Sequence, residues 1–226
     1  MSVSTPPPVV VVKEKRGPGC LGCGCGILVL LFVLVAVLLA GLLYEIKQKG
    51  TAVTSATAAQ IPSFDGGDTM YQAANQKLND FTDAVQNGQP GHLQLSADEI
   101  NTLIAHNPAF ASYGAHAFVT LQDNNVNLKA SLSGSAIPFG LLNGRYGNFE
   151  ADFTPAYDAD NKTLSFTIHQ LKSGDQAMTP DQLASLQSEI DALLQIELEQ
   201  SAAGKNFLDH AKSITIQNGQ LDIETQ

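Results

Sequence analysis

From Ile27 to Leu43 run seventeen residues with no polar side chain, ILVLLFVLVAVLLAGLL. As an α-helix this run spans roughly 25 Å, short of a hydrocarbon core about 30 Å thick. The apolar and small residues Leu21–Gly26 before it close the gap. A helix that is apolar on every face has no solvent side, which disfavours a core helix of ordinary amphipathic kind. A cleaved signal peptide has an apolar stretch of about 7–15 residues with small residues close behind. Here Tyr44-Glu45-Ile46-Lys47 follows, and the pattern Ala56-Thr57-Ala58 lies well past the apolar end. A lipidated cysteine would follow the run, whereas the cysteines precede it. The expected layout is a tail over 1–20, a transmembrane helix over 21–44, a linker over 45–62 and one outer domain over 63–226.

Charge divides along the same line. The formal net charge of the 226 residues is -10. Residues 1–50 carry five bases (Lys13, Lys15, Arg16, Lys47, Lys49) against two acids (Glu14, Glu45), net +3. The rest carries seven bases against twenty acids, net -13. Lys13, Lys15, Arg16 and the chain amine before the run outweigh Lys47 and Lys49 after it, which predicts a cytoplasmic N-terminus. The protein is thus expected in the cell membrane as a single-pass signal anchor with its C-terminal domain extracytoplasmic. The acidic domain lacks the basic footprint of a nucleic-acid binder and would be repelled by anionic lipid. Lipid contact is expected through the transmembrane helix.

Cys20, Cys23 and Cys25 all fall before the apolar run, so the outer domain has no disulfide framework. C-x-x-C-x-C resembles half a metal-ligand set, but a closed zinc site needs a fourth ligand. Neither a His nor a further Cys lies within the first 90 residues. Juxtamembrane palmitoylation is the other chemistry open to these thiols. Gly22-x-x-x-Gly26 and Ala36-x-x-x-Ala40 have the small-xxx-small spacing of helix dimers, so a weak self-association of the helix is expected. Pro6-Pro7-Pro8 suggests an extended tail.

In the outer domain, Asp68 is placed to cap a helix over 69–87. Met70, Ala74, Leu78, Phe81 and Val85 share one face of it, and Gly88 ends it. His92–Leu95 reads as a short strand. Ser96 and Glu99 form a capping box opening a helix over Ala97–His106 that buries Ile100, Leu103 and Ile104. Ala117–Gln122 and Val126–Ser133 alternate as strands around the turn-prone Asp123-Asn124-Asn125. Phe149, Ala151 and Phe153 share one face of a third strand, and Pro155 implies a strand edge or end. Leu164, Phe166, Ile168 and Gln170 share one face of a fourth. Thr179-Pro180 starts a long helix with Leu183, Leu186, Ile190, Leu193, Leu194 and Leu198 inward and Gly204 at its stop. Asn218-Gly219 joins two closing strands, with Ile214, Ile216, Leu221 and Ile223 on the buried face. Helix, strand, helix, four strands, helix and hairpin give an α+β class with a mainly antiparallel sheet packed on helices.

Chemistry is sparse. No nucleophile elbow, phosphate loop, dinucleotide fingerprint or zinc-protease motif occurs. His92, His106, His116, His169 and His210 lack close partners at ligand spacing, although His116 and His169 would meet if their strands were neighbours. Asp158-Ala159-Asp160 begins like a calcium loop but lacks its glycine and closing glutamate, which favours a solvated turn. Asn161-Lys162-Thr163 matches a glycosylation sequon. No catalytic, metal or cofactor residue is therefore assigned, and no enzyme is expected. The most distinctive segment is Ile137–Asn148, with the domain's single arginine. Arg145, Tyr146 and Asn148 form its candidate ligand-binding or structural loop, Arg145 either anchoring an internal group or presenting a cation to a ligand.

Three stretches carry a resemblance: Leu95–Ile104, Gly144–Asn148 and Ser213–Leu221. In this order they resemble a family of uncharacterised bacterial single-pass envelope proteins. More distantly the layout is similar to YpmS-like anchored proteins, and through them to lipid-binding modules that wrap a curved sheet around a long helix. The Gln/Glu-rich helix over 182–200 departs from that pattern. The resemblance implies an anchored envelope protein with no assigned catalytic residue. The expected function is a non-enzymatic binding or structural domain for a partner protein or cell-wall component. Two alternatives stay open: a lipid-binding module with an apolar groove between sheet and helix, and a hydrolase with an unrecognised site.

Overall fold

Two tight turns organise the sheets. Asn218 and Gly219 have φ of 53° and 73°, and Asp123 and Asn124 have 42° and 69°. Two consecutive left-handed residues are what a two-residue turn of the I′ kind needs to match strand twist, and Asn, Asp and Gly tolerate it best. The computed structural model describes residues 54–106, 116–134, 144–200 and 202–226. The expected tail, transmembrane helix and cysteines lie outside these. Among the described residues no helix is long and apolar enough to cross a membrane.

The chain is α+β, with antiparallel sheets packed against helices. In order it forms α1 (Gly67–Gln86), β1 (His92–Ser96), α2 (Ala97–His106), β2 (His116–Gln122), β3 (Asn125–Ser133), β4 (Tyr146–Asp158) and β5 (Thr163–Ser173). A two-residue β6 (Gln176–Ala177), α3 (Pro180–Gln200), α4 (Ala202–His210), β7 (Ala211–Gln217) and β8 (Gln220–Thr225) follow. One sheet has five strands in the order β2-β3-β4-β5-β6, and the other has three in the order β1-β8-β7. Strand β7 lies against β4, so the two sheets meet. Leu78 and Phe81 of α1, Ile100 of α2, Val119 and Leu128, Phe153 and Phe166, Ile190 and Leu194, and Ile216 and Ile223 belong to one buried cluster. Burial of each such side chain stabilises the domain by about 1.5–3 kcal/mol before entropy is counted.

Helix starts follow the capping signals in two of three cases. Ser96 Oγ accepts the Glu99 N–H at 3.2 Å, and Glu99 Oε2 accepts the Ser96 N–H at 2.9 Å. Gln182 Oε1 accepts the Thr179 N–H at 2.9 Å at the start of α3. The third case differs. Helix α1 begins behind Gly66 at φ 64°, with no side-chain cap, and Asp68 lies in the first turn. A side chain at Gly66 would collide with the Thr102 hydroxyl, so glycine stands at the cap position, and Asp65 rather than Asp68 supplies the carboxylate, its Oδ1 accepting the Gly67 N–H at 2.5 Å.

Three further expectations are corrected. Gln170 does not continue the face of Leu164, Phe166 and Ile168. Phe153 pairs with Ile168 and Asp152 with Gln170, so His169 is an extra residue that moves the following buried positions to Leu171 and Ser173. Leu193 is 43% exposed, because it lies beside the row Leu186, Ile190, Leu194 and Leu198 that α3 buries. Gly204 is a buried residue within α4 and not a helix stop. Pro155, by contrast, sits where a proline is tolerated. The pairing of β3 with β4 ends at Phe153, so β4 has a strand neighbour on one side only at Pro155.

Side-chain amides complete the sheet where strands run out. Asn101, 2% exposed, accepts the Val119 N–H through Oδ1 at 2.7 Å and donates Nδ2 to the Val119 carbonyl at 2.8 Å. It serves β2 as a neighbouring strand would. Gln187 Oε1 accepts the Ile168 N–H beside the bulge at 2.9 Å. Replacing Asn101 with Ala leaves both buried Val119 groups without that partner, and is expected to lower stability by about 2–4 kcal/mol. Chemical denaturation measures this; a loss below about 1 kcal/mol contradicts the role.

Glu99 couples the capping box to pH. Burial raises its pKa, but the hydrogen bond from Lys77 at 2.6 Å and those from Ser96 outweigh it, so the carboxyl lies below its ordinary 4.5. A depressed carboxyl stabilises the fold above its unfolded-state pKa, and the contribution is lost as pH falls through the folded one. Glu99→Gln is expected to lose less stability than the parent between about pH 7 and about pH 3. Equal losses in denaturation curves would contradict this.

Candidate functional site

Arg145, Tyr146 and Asn148 come together at the start of β4. Gly144 turns the chain into the strand with φ 74°, and the Arg145 carbonyl accepts the Gly134 N–H at 2.8 Å. This turn and this hydrogen bond place the residues at one end of the five-stranded sheet. Strand alternation then sends Tyr146 and Asn148 to the face opposite buried Gly147 and Phe149.

All three hold the segment Thr54–Ala59, which belongs to the expected linker. Arg145 Nε donates to Thr54 Oγ1 at 2.5 Å and Nη2 donates to the Thr54 carbonyl at 2.6 Å. Ser55 and Tyr146 exchange both backbone bonds, at 2.9 and 2.8 Å, as an isolated antiparallel bridge. Asn148 Oδ1 accepts the Ala59 N–H at 2.9 Å and the Ser131 hydroxyl at 2.8 Å, while its Nδ2 donates to the Thr57 carbonyl at 3.1 Å. Thr54 and Ser131 are buried. The arrangement is a clamp: a guanidinium fork, one bridge of backbone and one carboxamide bind a passing strand of chain.

Chemically the clamp is an array of donors and neutral acceptors. Arg145 directs its fork at an internal hydroxyl and carbonyl. The segment it binds escaped sequence reasoning, because Thr54-Ser55-Ala56-Thr57 has no apolar periodicity and reads as spacer. Only the distance in sequence, 91 residues from Thr54 to Arg145, separates a spacer from a docked strand.

The other candidates fall elsewhere. His116 lies on β2 and His169 on β5, with β3 and β4 between them, a sideways separation of about 14 Å to which an offset of several residues along the strands is added. They do not meet. His169 Nε2 is 2.8 Å from the Thr154 hydroxyl. His106 stacks on Tyr71 with ring centroids 4.6 Å apart. Asp158 acts as a turn former: Oδ1 accepts the N–H of Asp160 and of Asn161 at 3.0 and 3.1 Å, and Oδ2 accepts Asn161 Nδ2 at 2.8 Å. The Asn161 amide, followed by its backbone N–H, holds the Asp158 carboxyl below the usual range. His92 does find acidic neighbours, Asp222 and Glu224, which no local spacing announces because they lie on the far strand β8.

No protein-family model, curated protein or solved structure matches the chain.

Arg145→Ala and Asn148→Ala each remove part of the clamp and leave the β7–β8 hairpin untouched. Hydrogen exchange at the Ser55 and Ala59 amides is expected to accelerate roughly tenfold or more, with hairpin amides unchanged. Unchanged protection at both amides would rule out the clamp.

Proposed function

We propose that this chain is a single-pass membrane protein whose acidic outer domain is held close to the membrane in a set orientation. There it binds a partner protein or cell-wall component without catalysing a reaction. The observation that carries this reading is the clamp on Thr54–Ala59. Ten residues, Tyr44–Val53, separate the apolar run from Thr54, and a chain of that length reaches at most about 35 Å. A domain tethered through flexible chain would sample every orientation. Fixing the chain at Thr54 ties one end of the five-stranded sheet to the anchor side. The excess of acids over bases keeps such a domain from lying flat on anionic lipid and favours partners with basic or neutral surfaces.

A second reading has one observation in its favour. Ala130, Leu132 and Phe149 continue the buried apolar face of Leu128 and Ala151 towards the clamp end. A sheet face that is apolar along its length suits a lipid-binding module, which the distant YpmS-like resemblance also implies.

Gln60 is exposed just after the clamp, so Gln60→Cys reports topology. A membrane-impermeant maleimide is expected to label it in intact cells; labelling only after lysis contradicts an extracytoplasmic domain. Crosslinking in the same cells should then capture an envelope protein or wall fragment on the domain. A single lipid retained after detergent stripping, seen by native mass spectrometry with no captured partner, favours the second reading.

A further inference from the structure

We propose that His92, Asp222 and Glu224 form a binding site for a divalent transition-metal ion of the zinc class on the three-stranded sheet. The site follows from register. Antiparallel pairing sets His92 opposite Glu224 and Gln94 opposite Asp222. Residues two apart on a strand share a face, so all four side chains leave the sheet on the same side. The ligand atoms of His92, Asp222 and Glu224 all lie within 4.8 Å of one another. His92 Nε2 is 3.1 Å from both oxygens of Asp222. Neighbouring ligands of a tetrahedral ion with bonds of about 2.0–2.1 Å are about 3.4 Å apart. The three groups need only small rotamer adjustments to meet one ion.

Gln94 orients the Asp222 carboxylate, and Lys212 engages one oxygen of Glu224. Gln94 Nε2 donates to Asp222 Oδ2 at 2.8 Å, and Lys212 Nζ donates to Glu224 Oε2 at 2.8 Å. The second oxygen of each carboxylate remains for a metal. Such outer hydrogen bonds are what orient metal ligands. The contact between His92 Nε2 and Asp222 is bridged either by a proton on Nε2, which the neutral ring can carry, or by a metal ion. One imidazole with two carboxylates is a borderline-to-hard set, suited to zinc and unsuited to soft Cu(I). The His92 side chain is 54% exposed, so further coordination positions face solvent. Lys212 works against the ion, because its ammonium competes for Glu224.

The bound ion would join β1 to β8, residues 130 apart in the chain from His92 to Asp222. Zinc binding is therefore expected to raise the melting temperature as well as to register directly. The test is isothermal titration with zinc on the full chain in detergent, with Cys20, Cys23 and Cys25 replaced by Ser so that thiols take no part. One zinc per chain is expected. His92→Ala and Asp222→Asn should each weaken binding by at least about tenfold, while Lys212→Met should tighten it. Circular dichroism checks that these surface variants keep the fold. Absence of binding at millimolar zinc, or affinity undiminished in both ligand variants, overturns the proposal.

Discussion

Strands in this domain end under helices and beside chain segments, where their peptide groups have no strand neighbour and little water. Each such group needs a partner, since a buried unsatisfied amide costs about 1–3 kcal/mol. Side-chain carboxamides supply several of them. Asn101 closes the edge of β2 at Val119, Gln187 takes the N–H of Ile168 beside the bulge, and Asn148 binds both polarities of the backbone over Thr57–Ala59. A carboxamide carries one acceptor and two donors on a short stem, which is the pattern of a peptide group. The helices and the segment Thr54–Ala59 are therefore fixed to the sheets by hydrogen bonds with direction as well as by apolar packing, which has none.

Local signals were legible where the physics is local. The capping box at Ser96 and Glu99, the helix start at Thr179-Pro180 and the Asn218-Gly219 turn each depend on residues within four positions, and each lies where it was read. The inner rows of α1 and of the hairpin were legible from period alone. What could not be read depends on partners far along the chain. The bulge at His169 answers to β4, the exposure of Leu193 to how α3 lies on β5, and the entry at Gly66 to Thr102 on another helix. The candidate site shows the same divide. Arg145, Tyr146 and Asn148 stood out by composition, but their partner segment has no pattern of its own.

The outward faces are organised differently from the interior. Lys129, Glu150 and Lys172 stand opposite one another across three strands, with Glu150 oxygens 3.5 and 3.8 Å from the two ammonium groups. Lys162 and Asp209 pair at 2.8 Å between a hairpin and α4. These exposed pairs contribute little to stability individually. With Lys77–Glu99 and Lys212–Glu224 they place five of the domain's seven bases beside acids.

The three-stranded sheet has a consequence for how the domain is made. Its middle strand, β8, is synthesised after both outer strands, and both bond to it. Strand β1 therefore waits for residues 220–225 while some 120 residues of intervening chain emerge. Until then Leu93 and Leu95 lack the cover that β8 provides. The five-stranded meander, built from neighbours in sequence, can form first and offer β7 a surface. Assembly thus has a built-in order, local sheet before closing sheet, and a ribosome that holds back residues 220–225 holds the three-stranded sheet open.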